Sequence, residues 1–292
     1  MLQLMRLFRA ATFAAAGAAA YAVAETQLHR IQEHDVPVRA SAPALDVLHL
    51  ADSHVRAADR RRLHFLETLA GRIPTVDLIV MTGDMIENDS GIDPLLKALE
   101  PLSARYGKAF VLGSHDYFQS EFKLPFKYLL GRQTEIRAPL ADTQRMVHGL
   151  TAAGWIDMSN RSEILDTPLG RIRLTGVDDP YLKRHRTEHI ARGSEVLAIG
   201  LTHSPDVVAP YILNGFDLVV AGHTHGGQLR APFKGALVTN STLPTALAAG
   251  VHRIGNAALH VSPGLGTSEH MRVRFLCRPE VTLLHLRPTS KE

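Results

Sequence analysis

The chain has 292 residues, of which 45% are hydrophobic and 21% are charged, a composition typical of a globular protein with a large core. The formal net charge is +3, without a stripe of basic and aromatic residues, so we expect no nucleic-acid polymer as a partner. A single cysteine, Cys277, excludes an internal disulfide framework and a cysteine-rich zinc site.

Residues 1–24 are the one compositional anomaly. Arg6 and Arg9 lie among apolar residues, and residues 10–24 carry no charge. A basic lead followed by an apolar stretch and small residues is typical of a signal peptide or a membrane-targeting segment. The stretch is short and rich in alanine for a spanning helix, and a soluble helix is the alternative. We expect membrane association through contact of residues 1–24 with lipid, with an exported or cytoplasmic location as the alternatives.

Residues 25–43 predict a linker or an entering edge segment, which leaves 44–292 as the globular domain. Strand-like and helix-like stretches then alternate: strand 45–50, helix 59–72, strand 77–81, helix 93–105 and strand 109–112. An irregular aromatic stretch, 117–130, precedes a helix over 142–153. Further strands are expected over 171–177, 196–201, 217–221, 237–238, 259–261, 271–276 and 281–286. This order predicts an α/β layered fold with two packed sheets.

Residues that can bind metals follow the apolar strands at their carboxyl ends. They are Asp52 with His54, then Asp84, then Ser114-His115-Asp116, then His203, then His223 with His225. In open α/β sheets ligands bind in the crevice beyond the carboxyl ends of the strands, so these tips deliver their side chains to one place. Imidazole and carboxylate together suit manganese, iron or zinc. The alternative for each residue is an ordinary role in a helix cap or a loop.

The ordered motifs resemble those of the calcineurin-like metallophosphoesterases, over about residues 45–286. They are Asp52-Ser53-His54, Gly83-Asp84-Met85-Ile86, Gly113-Ser114-His115-Asp116, Thr202-His203 and Gly222-His223-Thr224-His225. The extension 226–228 and the tail 274–280 are similar to the bacterial membrane-associated phosphodiesterase branch. The resemblance implies a four-layer α-β-β-α sandwich with two packed mixed β-sheets and the metal site at the carboxyl tips of the strands.

The resemblance also implies a centre of two divalent metal ions. Asp52, His54 and His225 would hold one ion, His203 and His223 would hold the second, and Asp84 would bridge the pair. The two ions would share a hydroxide that attacks a phosphoester substrate. His115, steered by Asp116, would neutralise charge or protonate the leaving oxygen.

One residue departs from the family pattern. The asparagine of the third motif, a ligand of the second metal, is Ser114 here. Because a hydroxyl is a shorter and poorer ligand than an amide oxygen, the second site would be completed by water, by Ser114 or by an amide such as Asn88. We therefore expect the second metal to bind more weakly than the first.

The leading functional hypothesis is a phosphodiesterase that acts on a lipid- or nucleotide-linked phosphate, with residues 117–130 as an apolar lip or as packing on the sheet. A soluble phosphomonoesterase or cyclic-nucleotide phosphodiesterase is the first alternative. The second is a membrane-tethered metal-binding protein whose catalysis is weakened by Ser114. The sequence does not determine the substrate, the metals or the oligomeric state.

Overall fold

Two six-stranded mixed sheets organise the chain in a computed structural model that describes residues 2–119, 138–267 and 271–290. The first sheet has the strand order β1-β14-β2-β3-β4-β5, and its neighbours are parallel except for the pair β14 and β2. Its strands are β1 (Arg30–Val38), β2 (Leu45–Leu50), β3 (Val76–Thr82), β4 (Ala104–Val111), β5 (Trp155–Asp157) and β14 (Glu280–Pro288).

The second sheet has the order β12-β13-β9-β8-β7-β6, in which only the two outermost strands run antiparallel to their neighbours. Its strands are β6 (Arg161–Thr167), β7 (Gly170–Gly176), β8 (Leu197–Leu201), β9 (Leu218–Ala221), β12 (Gly250–Ile254) and β13 (Ala257–Val261). A separate short hairpin joins β10 (Arg230–Ala231) to β11 (Gly235–Ala236).

Six helices accompany the sheets in the described residues. They are α1 (Leu2–Glu25), α2 (Arg60–Glu67), α3 (Ile92–Leu99), α4 (Ser114–Tyr117), α5 (Thr143–Ala152) and α6 (Val208–Leu213). Short 3-10 turns lie at 69–71, 89–91, 205–207, 225–227 and 245–247. Among the residues described, no helix combines the length and the apolar character needed to span a membrane.

Three apolar cores separate four layers. Leu66 of α2 packs with Phe110 of β4 in a core on the outer face of the first sheet. Leu78 of β3 and Ile199 of β8 belong to the core between the two sheets. Tyr211 of α6 lies in the third core, on the outer face of the second sheet. The layer order is therefore α-β-β-α, which confirms the predicted fold class.

Burial of the central strands explains why their ends hold the polar residues. All seven residues of β3 and all four of β9 are buried, since both faces of each strand are covered. Polar side chains therefore concentrate where these strands stop, at the loops after β2, β3, β8 and β9. His203 Nδ1, after β8, lies 2.7 Å from the carbonyl oxygen of Thr82 at the end of β3. The two sheets thus present one common set of loops.

Three predicted elements differ from the structure. The helix predicted over 93–105 ends at Leu99, and its last residues belong to β4, because Pro101 disfavours helical backbone in the residue before it. Residues 271–276 form only an isolated parallel bridge, between Phe275 and Leu229, and Arg274 donates its backbone N–H to Ala22. Residues 237–238 likewise lie outside the described strands.

Residues 25–43 contain an edge strand rather than a free linker. β1 pairs in parallel with β14 over nine positions, so the entering edge segment is the alternative that the structure shows. The predicted aromatic lip is only partly visible, because residues 120–130 lie outside the described residues.

Candidate metal centre

The predicted ligands lie on backbone that L-amino acids rarely adopt. Left-handed φ angles occur at Asp52 (44°), His54 (42°), Asp84 (48°), His223 (68°) and His225 (48°). Such conformations are uncommon outside glycine and persist only where the surrounding structure fixes them. Their clustering at one set of strand ends indicates a functional site.

Motif glycines allow the chain to approach the two carboxylates. A Cβ atom on Gly222 would clash with Oδ2 of Asp52, and one on Gly113 would clash with Oδ1 of Asp84. The glycines are therefore required by the close approach of backbone to the acidic side chains.

The possible ligand atoms form three groups that share members, and the atoms of each group lie within 4.8 Å of one another. The groups are Asp52 with His54 and His225, His54 with Asp84 and His115, and Asp52 with Asp84 and His203. Residues that follow five different strands, β2, β3, β4, β8 and β9, thus converge on one small volume.

Asp84 stands at the middle of this arrangement. Its Oδ2 atom lies 3.6 Å from Nε2 of His54 and 3.3 Å from Nε2 of His203. On the far side, Nδ1 of His223 lies 3.2 Å from Nε2 of His203. On the near side, Nε2 of His225 lies 3.9 Å from Oδ1 of Asp52. This placement fits a carboxylate shared between two ligand sets.

Hydrogen bonds fix the orientation of two imidazole rings. Nδ1 of His54 donates to Glu87 over 2.6 Å, and Nδ1 of His203 donates to the carbonyl oxygen of Thr82 over 2.7 Å. Each ring therefore keeps Nε2 for the centre of the site. Metal-binding histidines are usually held in this way, by a carboxylate or a carbonyl on the opposite nitrogen.

Two buried nitrogens of the candidate ligands, Nε2 of His54 and Nδ1 of His225, have no hydrogen-bond partner among the described residues. An unsatisfied buried polar atom costs about 1–3 kcal/mol, so its retention calls for a ligand. Divalent cations accept the donor set of carboxylates and neutral imidazoles found here. The residues present therefore fit a metal centre.

The shifted pKa values of Asp84 and His203 also favour a metal centre. Burial would raise the pKa of Asp84, but His203 holds that pKa well below its usual range. Burial would lower the pKa of His203, but Asp84 raises it well above its usual range. The pair thus keeps a carboxylate and a proton, and a divalent cation held by these two residues would take the place of that proton.

Sequence reasoning missed Glu87, which is completely buried and bonds His54. Its Oε2 atom also lies 3.8 Å from Nδ1 of His115. The available signal was its position three residues after Asp84, in the same loop. Asp116 accepts backbone N–H groups of Gly113 (2.9 Å) and Met85 (2.8 Å) and so holds these two loops together. Its steering of His115 stays a prediction.

Three further side chains have distinct positions. Ser114 is the first residue of α4, and its carbonyl oxygen accepts a hydrogen bond from Phe118. Asn88 uses its amide oxygen to cap the turn at Ser90, over 3.1 Å to the backbone nitrogen. Asn240 Nδ2 donates to the carbonyl oxygen of His223 over 3.0 Å and supports that ligand loop.

His49 lies in the core and not among the candidate ligands. Its Nδ1 lies 2.8 Å from Nδ1 of His260, and its Nε2 lies 2.9 Å from the hydroxyl of Thr82. His49 is on β2 and His260 is on β13, so this contact joins the two sheets.

A family model described as calcineurin-like phosphoesterase matches residues 45–227, which include every motif named above. The chain belongs to the calcineurin-like phosphoesterase family. It is accordingly a phosphoester hydrolase of a metal-dependent family, as the motifs predict.

Relatives of this phosphoesterase carry names that agree. The metallophosphoesterase YkoQ of Bacillus subtilis is 28% identical over 86% of this chain and 86% of its own length. The metallophosphoesterase YkuE of the same organism is 28% identical over 91% of this chain and 86% of its own length. The phosphodiesterase YaeI of Escherichia coli is 26% identical over 84% of this chain and 83% of its own length.

Proposed function

We propose that the chain is a phosphodiesterase with a dinuclear metal centre. The observation that carries this proposal is the set of three ligand groups that interlock through Asp52, His54 and Asp84. When bound, two divalent ions supply an activated water and stabilise charge on the phosphate oxygens. Manganese, iron and zinc all suit this donor set.

Each side chain has a role in this proposal. Asp52, His54 and His225 would hold one ion, His203 and His223 would hold the other, and Asp84 would bridge them. His115 is the group that faces the substrate, since its side chain is 25% exposed beside fully buried neighbours. It would neutralise the phosphate or deliver a proton to the leaving oxygen, and the carboxylate of Glu87, 3.8 Å from its Nδ1, would stabilise the protonated ring.

A diester linked to a lipid or a nucleotide is the proposed substrate. The relative named as a phosphodiesterase supports the choice of a diester. Residues 1–24 support a location at a membrane, because Arg6 and Arg9 precede fifteen residues that carry no charge. In this proposal, residues 1–24 are the anchor and 44–292 the catalytic domain.

Hydrolysis of a bis-aryl phosphodiester in the presence of manganese, iron or zinc tests the proposal. We expect turnover to be lost on chelation, and to fall at least about 100-fold in His223→Ala because a metal ligand is removed. The matched control is His64→Ala, which removes a side chain that is 76% exposed and should leave the rate unchanged. A preference for monoesters would favour the phosphomonoesterase alternative. Metal binding without turnover would favour the metal-binding alternative.

A further inference from the structure

A positively charged cleft lies at the amino end of α2, apart from the proposed metal ligands. It is a cleft of about 270 Å³. The cleft is lined by Gln27, Ala58, Asp59, Arg60, Arg61 and Arg62. Three consecutive arginines and a single carboxylate give it a positive charge.

The helix end itself contributes to the cleft. Asp59 makes no side-chain capping bond to α2, and no acidic residue lies in the first turn. The first backbone N–H groups of a helix lack partners within the helix and form the positive end of its dipole. The Asp59 carboxylate is paired elsewhere, with Arg56 over 2.8 Å and with Arg62 over 3.2 Å. Its negative charge is therefore already compensated.

A buried donor without a partner lines the same cleft. Arg62 is only 5% exposed, and its Nε atom is buried with no hydrogen-bond partner. Its Nη1 atom donates to the carbonyl oxygens of Ser53 (2.9 Å) and His54 (2.7 Å). The guanidinium thus connects the cleft to the loop of Ser53 and His54. Its Nε–H group stays without an acceptor, and an anion that accepted this bond would remove the free-energy cost of burying it.

The imidazole of His29 lies near Arg62 and is uncharged. Burial, followed by the charge of Arg62, lowers the pKa of His29 to about 4, so this ring is neutral at pH 7. Its Nε2 atom is also buried without a partner, and the ring lies 5.3 Å from that of Phe65.

We propose that this cleft binds a phosphate group, either free in solution or carried by a lipid headgroup. Phosphate oxygens would accept the backbone N–H groups of Arg61 and Arg62 and the unpartnered Nε of Arg62, and would pair with the exposed side chains of Arg60 and Arg61. The backbone N–H of Arg60 is already donated to the carbonyl oxygen of Ala58 over 2.9 Å. Gln27, which lines the cleft, lies two residues beyond the end of α1, the helix that carries Arg6 and Arg9. None of the proposed metal ligands lines the cleft.

The test compares the full-length protein with the double variant Arg60→Gln/Arg61→Gln. The control, Arg171→Gln/Arg186→Gln, removes the same charge from two exposed arginines outside the cleft. Co-sedimentation with phosphatidylcholine vesicles, with and without phosphatidic acid, measures binding to lipid phosphate. The thermal midpoint in inorganic phosphate, against chloride of equal ionic strength, measures binding of the free anion.

Lipid phosphate is the ligand if the cleft variant binds acidic vesicles about 30-fold more weakly, as expected from two lost surface arginines, while the control binds as wild type does. Free phosphate is the ligand if vesicle binding is equal but the cleft variant alone loses the phosphate-dependent rise in midpoint. Equal behaviour of both variants in both assays overturns the proposal. Unchanged midpoints in chloride show that the cleft variant is folded.

Discussion

Asp84 uses its two carboxylate oxygens for different tasks. Oδ1 accepts the backbone N–H of His115 over 2.8 Å, whereas Oδ2 faces the imidazoles of His54 and His203. The first contact fixes the plane of the carboxylate, and the second leaves an oxygen directed between two nitrogen ligands. In the proposed dinuclear centre, a bridging carboxylate would need this division, because it would hold its own geometry while it contacts both ions.

A substitution at Ser114 tests the proposed second metal site. Ser114→Asn introduces the amide oxygen of the family pattern, so we expect the second metal to bind about tenfold more tightly, or ~1.4 kcal/mol. Calorimetric titration with manganese measures both affinities. The exposed Ser103→Asn, which lies away from the ligand loops, should change neither. Two equally tight sites in the wild-type protein would contradict the expected weakness of the second one.

The candidate ligands were predictable residue by residue, whereas their supports were not. Asp84 and His223 are recognisable because each follows an apolar run and a glycine. Glu87 has no such signature, since its importance comes from a bond to His54 that only the folded loops bring together. The backbone partners of Asp116 were hidden for the same reason, because they include Met85 from another loop.

The loops after the central strands act as a set of strained elements. Asp52 and Asp84 hold left-handed backbone, and the loop of Asp52 receives the backbone N–H of His223 at 2.9 Å on its carboxylate. The first loop and the loop after β9 therefore support each other directly. Displacement of one moves ligands in both.

Gly222→Ala isolates this dependence. The added methyl group would clash with Asp52, so we expect activity to fall about 100-fold through a displaced ligand, with the sheets still folded. Diester hydrolysis and the far-ultraviolet circular dichroism spectrum measure the two effects. Gly71→Ala, where a methyl group meets nothing within 4 Å, is the control and should retain full activity. Equal activity of the two variants would contradict the close approach at Gly222.

Elements with strong apolar runs were predicted well, and elements defined by distant partners were not. The runs at 77–81 and 217–221 lie in β3 and β9. β1 was obscured because its only neighbour, β14, lies about 250 residues away along the chain. Local periodicity carries no information about such a partner.

At the scale of the molecule, the two sheets meet through polar as well as apolar contacts. Leu78 and Ile199 belong to the apolar core between them, and His49 with His260 forms a buried imidazole pair. Burial lowers the pKa of His49 to about 3. The folded protein therefore keeps this ring neutral over a pH range in which the unfolded chain binds a proton.

This difference predicts a loss of stability in acid. Because the unfolded state binds the proton from about pH 6.5 downwards and the folded state only near pH 3, the contribution of His49 is lost as the pH falls between these values. His49→Gln should remove about 2 kcal/mol of the decrease in unfolding free energy between pH 7 and pH 5. Urea denaturation at both pH values measures it. The exposed His64→Gln should keep the full decrease; identical slopes for both variants would refute the assignment.

The position of β14 has a consequence for biosynthesis. This strand lies between β1 and β2, although both of those strands are among the first parts of the chain to be made. During translation the first sheet retains a gap at this position, with β1 unpaired, until residues 280–288 have left the ribosome. The nascent chain therefore exposes two open strand edges for most of its synthesis, and its last strand closes the sheet in a single late step.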